Sequence, residues 1–468
     1  MNEITSLSAT RMAQLIRSRE VSSEELVQAH LRQIEAVNSG INAVVHLSGE
    51  RALREARQRD AELKKAEVRG PLHGVPMTVK DSLETEGIVT TSGTLGRANH
   101  IPERDASTVA LMRAAGAVVI GKTNVPELCL AFESDNLVYG RTNNPYDVTK
   151  TSGGSSGGEA AIIAAAGSPI GLGSDAGGSV RLPAHFCGIA GIKPTSGRLP
   201  KTGHFLPPGG LADRLWQIGP MSRFVEDLIL VMPILAQADG LDASFVPMPL
   251  RNPASVRLNS LRIAFYTNNG ISDPTTETKE TVTQAAKALL EMGAPVEEAQ
   301  PDGIGTASQL WCEILGADGG SGLRSLLETI GTTRFHPLLQ RFLDISGNCA
   351  MSTDALLGLV VRWDDLRTRM LRFLSKYDAI ICPVAASPAI PHATSYDRLD
   401  IFTYTMAYNF TGWPGAVVRC GTSPEGLPIN VQIVAQPWRE DVALAVAKHL
   451  EEVFGGWKPV NNVERASG

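Results

Sequence analysis

The chain has 468 residues, enough for one large α/β domain or two to three smaller ones. Apolar residues make up 43%, charged residues 20% and aromatics 5%, with 45 Gly and 28 Pro, a composition that excludes disordered, collagenous and membrane classes. The net charge of −6 argues against a surface that coats nucleic acid, and six cysteines without a CxxC pair or a Cys/His cluster argue for reduced thiols and a cytoplasmic location, not a disulfide scaffold or a zinc site.

The N-terminus shows no basic stretch followed by an apolar one, so no signal peptide is expected. Ser22 and Glu25 form a capping-box pattern, and Leu26, Val27, Leu31, Ile34 and Val37 follow at helical spacing, which predicts a helix from 22 to 38. A second, highly charged helix is predicted from Glu50 to Glu67. The β-branched run after Gly70-Pro71 predicts a strand ending at Lys80. A helix from Ser107 to Ala115, a buried strand from Ala117 to Ile120 and a new helix start at Asn124 to Glu127 continue the alternation typical of α/β sheets.

Between Thr151 and Gly197 the chain is glycine-rich, interrupted by a short Ala/Ile helix (Glu159 to Ala166) and a strand (Ile170 to Gly173). After Pro200 the predicted elements are helix Val225 to Ala238, strand Arg262 to Tyr266, helix Thr276 to Met292, strand Val296 to Glu298, and helices near 308 to 330 and 354 to 375. Strands Ala379 to Cys382, Gly415 to Arg419 and Ile429 to Val434 and a helix from Asp441 to Val453 close the pattern. The apolar stretch Leu228 to Ala236 is about half the roughly 20 residues of a membrane crossing and reads as a core helix. The Pro/Asn-rich stretch Pro247 to Ser260 reads as a surface insertion.

None of the nine histidines has metal-ligand spacing, and no serine sits in a GxSxG elbow. His185 reads as a packed polar side chain. The loop Gly153-Gly154-Ser155-Ser156-Gly157-Gly158 opens a helix but lacks the Lys-Ser/Thr pair of a phosphate loop. Ser155 is followed 24 residues later by Ser179 in the turn Asp175-Ala176-Gly177-Gly178-Ser179-Val180-Arg181. Small residues there let the N–H groups of Ala176, Gly177, Gly178 and Ser179 converge as an oxyanion hole beside the Ser179 hydroxyl. A nucleophilic serine needs a base, and a lysine whose pKa is lowered by burial can serve.

Together these pieces resemble the amidase signature family: Val79-Lys80-Asp81, GGSSGG, the GGS-V-R-x-P turn, Phe186-Cys187-Gly188, Gly191-Ile192-Lys193-Pro194-Thr195, Glu133-Ser134-Asp135-Asn136 and Gly426 to Gln432. The resemblance implies a single large α/β/α domain over 1–468 with a mixed, mostly parallel sheet, a catalytic core at about 70–200 and variable pocket segments at about 201–220 and 300–410. It assigns Ser179 as nucleophile, Ser155 as a relay serine in a cis peptide bond, Lys80 as general base, and Asp175 and Arg181 as loop-orienting residues. It further implies hydrolysis of a C(=O)–N bond through an acyl-enzyme, without metal or organic cofactor.

Apolar residues at 128, 130, 132, 205, 206, 216, 311 and 363 point to a small apolar or aryl amide or carbamate substrate, with no nucleic-acid or membrane partner, in a monomer or homodimer. Two rivals stay open: the A-type component of a glutamyl-tRNA amidotransferase, and a nucleotide-binding protein that uses the glycine loops for phosphate.

Overall fold

The computed structural model describes residues 3–206 and 210–460. The Ser22 capping box forms as expected, the Ser22 hydroxyl accepting the Glu25 N–H at 3.1 Å and the Glu25 carboxylate accepting the Ser22 N–H at 2.8 Å. The helix it starts, Ser23–Ile41, runs past the predicted stop and ends where Asn42 turns left-handed (φ 48°). The Asn38 side chain takes the N–H groups of Ala43 and Val44 at 2.8 Å each and so turns the chain into the first strand.

The strands are β1 (Val44–Leu47), β2 (Pro76–Lys80), β3 (Val118–Thr123), β4 (Ile170–Asp175), β5 (Ala190–Lys193), β6 (Gln217–Ser222), β7 (Ile263–Phe265), β8 (Val296–Glu298), β9 (Ala379–Pro383), β10 (Gly415–Thr422) and β11 (Pro428–Ala435). They form one sheet in the order β1-β3-β2-β4-β6-β5-β10-β11-β9-β7-β8. Alternation along the strands builds two cores, one on each face. Val118 and Ile120 of β3 enter one core and Val119 the other, while Ile380 and Cys382 of β9 part from Ala379 and Ile381 in the same way. Helices cover both faces, so the fold is a single α/β domain with a large mixed sheet.

The expectation of a mostly parallel sheet needs correction. The pairs β3–β2, β2–β4, β9–β7 and β7–β8 are parallel, but the run β4–β6–β5–β10–β11–β9 at the centre is antiparallel. Parallel neighbours occur where a helix supplies the crossover, as Ser107–Ala114 does between β2 and β3 and Thr276–Glu291 between β7 and β8. In the centre β10 turns directly into β11, and among the described residues no α-helix lies between β5 and β6.

Three further boundaries move. The segment at Asn124 to Glu127 leads only to the single 3-10 turn Glu127–Cys129, because Leu128 (φ 54°) and Cys129 (φ 62°) are left-handed and cannot propagate a helix. The predicted 308–330 helix is two, Ala307–Leu315 and Ser321–Thr329, parted at Gly319 and Gly320, both of positive φ. The helix Val225–Leu235 ends three residues early, with Pro233 in its last turn. Among the described residues no helix is long and apolar enough to cross a membrane.

Candidate active site

Lys80 is the last residue of β2, a strand buried along its whole length. The parallel register of Thr78 with Gly171 and Val79 with Leu172 brings the end of β2 beside the end of β4, where Ser174 and Asp175 stand. The GGSSGG loop crosses the same point before the helix Gly157–Ala164, whose residues are all buried. Apart from Glu159 its residues are small or apolar, as a helix buried on every side requires. Lys80 Nζ lies 2.6 Å from Ser155 Oγ and 2.9 Å from Ser174 Oγ. The peptide between Gly154 and Ser155 is cis. A Cβ on Gly154 would lie 2.6 Å from the Glu133 nitrogen, so the loop can pass here only without a side chain.

The Ser179 turn is held from below by a buried ion pair. The Asp175 carboxylate accepts the Arg181 Nε–H at 2.9 Å and Nη2–H at 2.8 Å, the Gly178 N–H at 2.8 Å and the Asn409 amide at 2.9 Å. Arg181 reaches on to Gln432 Oε1 (2.6 Å) and Asn409 Oδ1 (2.7 Å), which ties the turn to β11 and to the helix Thr403–Phe410.

One of the four N–H groups expected to converge as an oxyanion hole is engaged elsewhere. The Gly178 N–H is committed to Asp175, which leaves the N–H groups of Ala176, Gly177 and Ser179 without a backbone or side-chain acceptor among the described residues. Gly178 has φ 129°, a conformation that side chains rarely adopt. The Ser179 carbonyl accepts the Ser156 N–H at 3.1 Å, which joins the two serine loops. Ser179 is 7% exposed, and its hydroxyl has no hydrogen-bond partner among the described residues and faces the cavity that Ser155 also lines.

Burial lowers the Lys80 pKa from its ordinary value, although the charges of Asp175 and Glu159 and the neighbouring Cys129 thiol oppose this. Beneath Lys80, burial raises Glu159 to about 7, while Thr78 and Thr123 donate to its carboxyl. Burial alone would raise Asp175 as well, but the Arg181 guanidinium overcomes it and holds the carboxylate well below its usual range. An amine whose pKa is lowered and a carboxylate whose pKa is lowered therefore stand a few side chains apart.

A cavity of about 170 Å³ adjoins the serines. Of the apolar residues singled out in the sequence, Leu128, Leu130, Phe132, Leu206, Trp216 and Trp311 line it, joined by Phe342 and Ile345. Two do not. Phe205 turns away beneath the Arg97 guanidinium, 4.0 Å from its ring centroid, and Trp363 packs in the core with its indole N–H on the Phe410 carbonyl.

His185 is a packed side chain, its two ring nitrogens paired with Ser387 O and Asn430 N–H. Sequence reasoning missed Ser174, His204, Asn409 and the clamp made by Ser134, whose hydroxyl accepts the Gly157 N–H and donates to the Gly153 carbonyl. Ser174 stands next to Asp175 at the end of a strand that also bears Gly171 and Gly173, and that position was the available signal for it. His204 and Asn409 carried none, because they come from distant segments.

Over residues 25–444 the chain matches the Amidase family model. It is 33% identical to human fatty-acid amide hydrolase 2 across 96% of this chain and 90% of that protein. To the A-type component of glutamyl-tRNA(Gln) amidotransferase from Moorella thermoacetica it is 32% identical, across 96% of this chain and 97% of that protein. A solved structure of 6-aminohexanoate cyclic dimer hydrolase with substrate superposes with a TM-score of 0.85 at 29% identity, over 97% of this chain and 98% of that one. By the family model over most of its length and by these relatives, the chain belongs to the amidase signature family of hydrolases acting on C–N bonds.

Proposed function

We propose that the enzyme hydrolyses an apolar or aryl amide or carbamate through an acyl-enzyme on Ser179. The observation that carries this reading is a cavity walled by Leu128, Phe132, Trp216 and Trp311 that adjoins Ser179 and Ser155, with Lys80 in hydrogen-bond contact behind it. In the proposed sequence Ser179 Oγ attacks the carbonyl carbon and gives its proton to Ser155 Oγ, as Ser155 gives its own to neutral Lys80. The N–H groups of Ala176, Gly177 and Ser179 receive the oxyanion. Collapse breaks the C–N bond, and the proton returns through Ser155 to the departing nitrogen. Water then hydrolyses the acyl-enzyme by the same relay. An amide needs the acid step because an amine anion is a very poor leaving group.

In this reading the catalytic chemistry resides at about 70–200 and substrate choice at about 201–220 and 300–410, with a small molecule as the only partner. Relatives that bear both hydrolase and amidotransferase names match at nearly equal identity, so the choice between them rests on the apolar cavity. The test is a panel of aryl amides, aryl carbamates, medium-chain amides and short aliphatic amides, with intact-mass detection of acyl-Ser179. The apolar members should give the highest kcat/KM. A preference for short polar amides, or activity that requires added partner proteins and glutamine, would reject the reading.

A further inference from the structure

Behind Lys80 the hydrogen bonds continue away from the serines. Ser174 Oγ, 2.9 Å from Lys80 Nζ, is also 3.0 Å from His204 Nε2, and the same nitrogen is 3.1 Å from Ser82 Oγ. His204 is 8% exposed, and its ring lies 4.5 Å from that of Trp216. It comes from the long segment between β5 and β6, outside the family motifs.

A neutral amine has one lone pair and two hydrogens. To act as a base toward Ser155, Lys80 must aim the lone pair at Ser155 and place its hydrogens elsewhere. Ser174 can receive one, its hydroxyl 2.9 Å and its carbonyl 3.5 Å from Nζ. A free hydroxyl could do the reverse, donating its own proton into the lysine lone pair and competing with Ser155.

We infer that His204 is a positioning residue for the base: its Nε2 accepts the Ser174 hydroxyl proton, which leaves a Ser174 lone pair for a Lys80 N–H and keeps the Lys80 lone pair on Ser155. This rests on Lys80 being the base. The tautomer required carries its proton on Nδ1, which lies toward the Leu206 backbone and has no hydrogen-bond partner among the described residues. Burial first, and then the Lys80 charge, lower His204 to about 3, so the ring is neutral throughout the working range. The other ionisable groups that act on the pair are Asp175, Glu159 and Cys129 toward Lys80, and Lys201 and Lys122 toward His204.

The experiment follows kcat and KM against pH for a medium-chain p-nitroanilide in wild type, His204→Leu, His204→Gln, Ser174→Ala and the His204→Leu/Ser174→Ala double variant. In His204→Leu the plateau kcat should fall about tenfold with KM within twofold. The alkaline midpoint should move down, because the released Ser174 hydroxyl now stabilises the neutral amine. His204→Gln, which keeps an acceptor near the Nε2 position, should recover most of the loss. In the Ser174→Ala background His204→Leu should cost less than twofold. A packing defect would instead admit water, favour the ammonium and move the midpoint up. That upward shift, a full loss in the Ser174→Ala background, or a rise in KM at unchanged kcat would each overturn the inference. A Lys80→Ala enzyme with an unchanged pH profile would reject the base itself, a different result from an altered Lys80→Ala profile with additive His204 losses.

Discussion

On the floor of the cavity Lys80, Ser155, Asp175 and Arg181 are at most 1% exposed; Lys80 and Asp175 end β2 and β4, Arg181 opens the helix after its serine loop, and Ser155 stands in the loop two residues before the other helix. The roof is made differently. The helices Ala307–Leu315 and Pro337–Gly347 present Trp311, Phe342 and Ile345 inward, and most of their residues, like those of Ser321–Thr329 between them, are partly or fully exposed. Leu327, Leu339 and Leu343 pack with Leu128 in a small cluster separate from the two main cores. A group fixed by strand ends and a buried ion pair cannot shift without breaking several hydrogen bonds. A group on a half-exposed helix can be replaced or moved at the cost of one small cluster. The floor is therefore suited to fixed chemistry and the roof to choosing what reaches it.

The comparison is broken most severely at Ser179. Ser179→Ala should lower kcat on the order of 10⁴-fold and abolish fluorophosphonate labelling while leaving the thermal midpoint within a few degrees, since a cavity-lining hydroxyl without a partner contributes little packing. A variant that keeps more than a few per cent of wild-type turnover would show the nucleophile to be another residue.

Lys80→Ala tests the same floor through pH. Only the neutral amine can take a proton, so activity should rise with pH and level off above a pKa that burial has moved below the usual lysine value of about 10.4. The variant should lose that rise and drop roughly 10²- to 10⁴-fold for amides, less for esters, whose alkoxide leaves more readily. A matched amide and ester pair, assayed from pH 6 to 10, reads both effects.

In the roof, Trp311→Ala removes an indole that covers Gly177 and donates to the Ala176 carbonyl at 3.1 Å. For an aryl amide kcat/KM should fall about 10- to 100-fold, and for a short aliphatic amide only a few fold. Equal losses on both substrates would place Trp311 in the floor, as a brace of the oxyanion loop.

The smallest expected effect sharpens the contrast within the floor itself. Ser156 stands next to Ser155, yet its hydroxyl only bridges the Ser174 N–H and carbonyl, each at 3.3 Å. Ser156→Ala should cost about 1 kcal/mol of stability in denaturant melts and less than tenfold in kcat. Ser155→Ala should cost several orders of magnitude in kcat and little stability.

How far the sequence could be read depended on whether a residue's role is local. The capping box at Ser22, the strand ending at Lys80 and the two glycine-serine loops were legible because backbone geometry there follows from residues a few positions apart. The antiparallel centre was not, since β5 and β6 are short and glycine-bearing, and pairing between strands has no signature within either one. The length of the Val225 helix and the split at Gly319 and Gly320 were missed for a smaller reason: local propensity fixes helix ends poorly.

By itself the sequence determined the residue types of the reaction, a lysine, two serines and the small residues that let N–H groups converge, because spacing along one chain segment suffices for a turn or a loop. Only the tertiary structure decided that Phe205 and Trp363 stand outside the cavity and that His204 closes on Ser174. Those outcomes depend on which of several available partners a group meets. Partners 30 to more than 200 residues apart, as Ser174 is from His204 and Arg181 from Asn409, are chosen by packing between segments and leave no local trace.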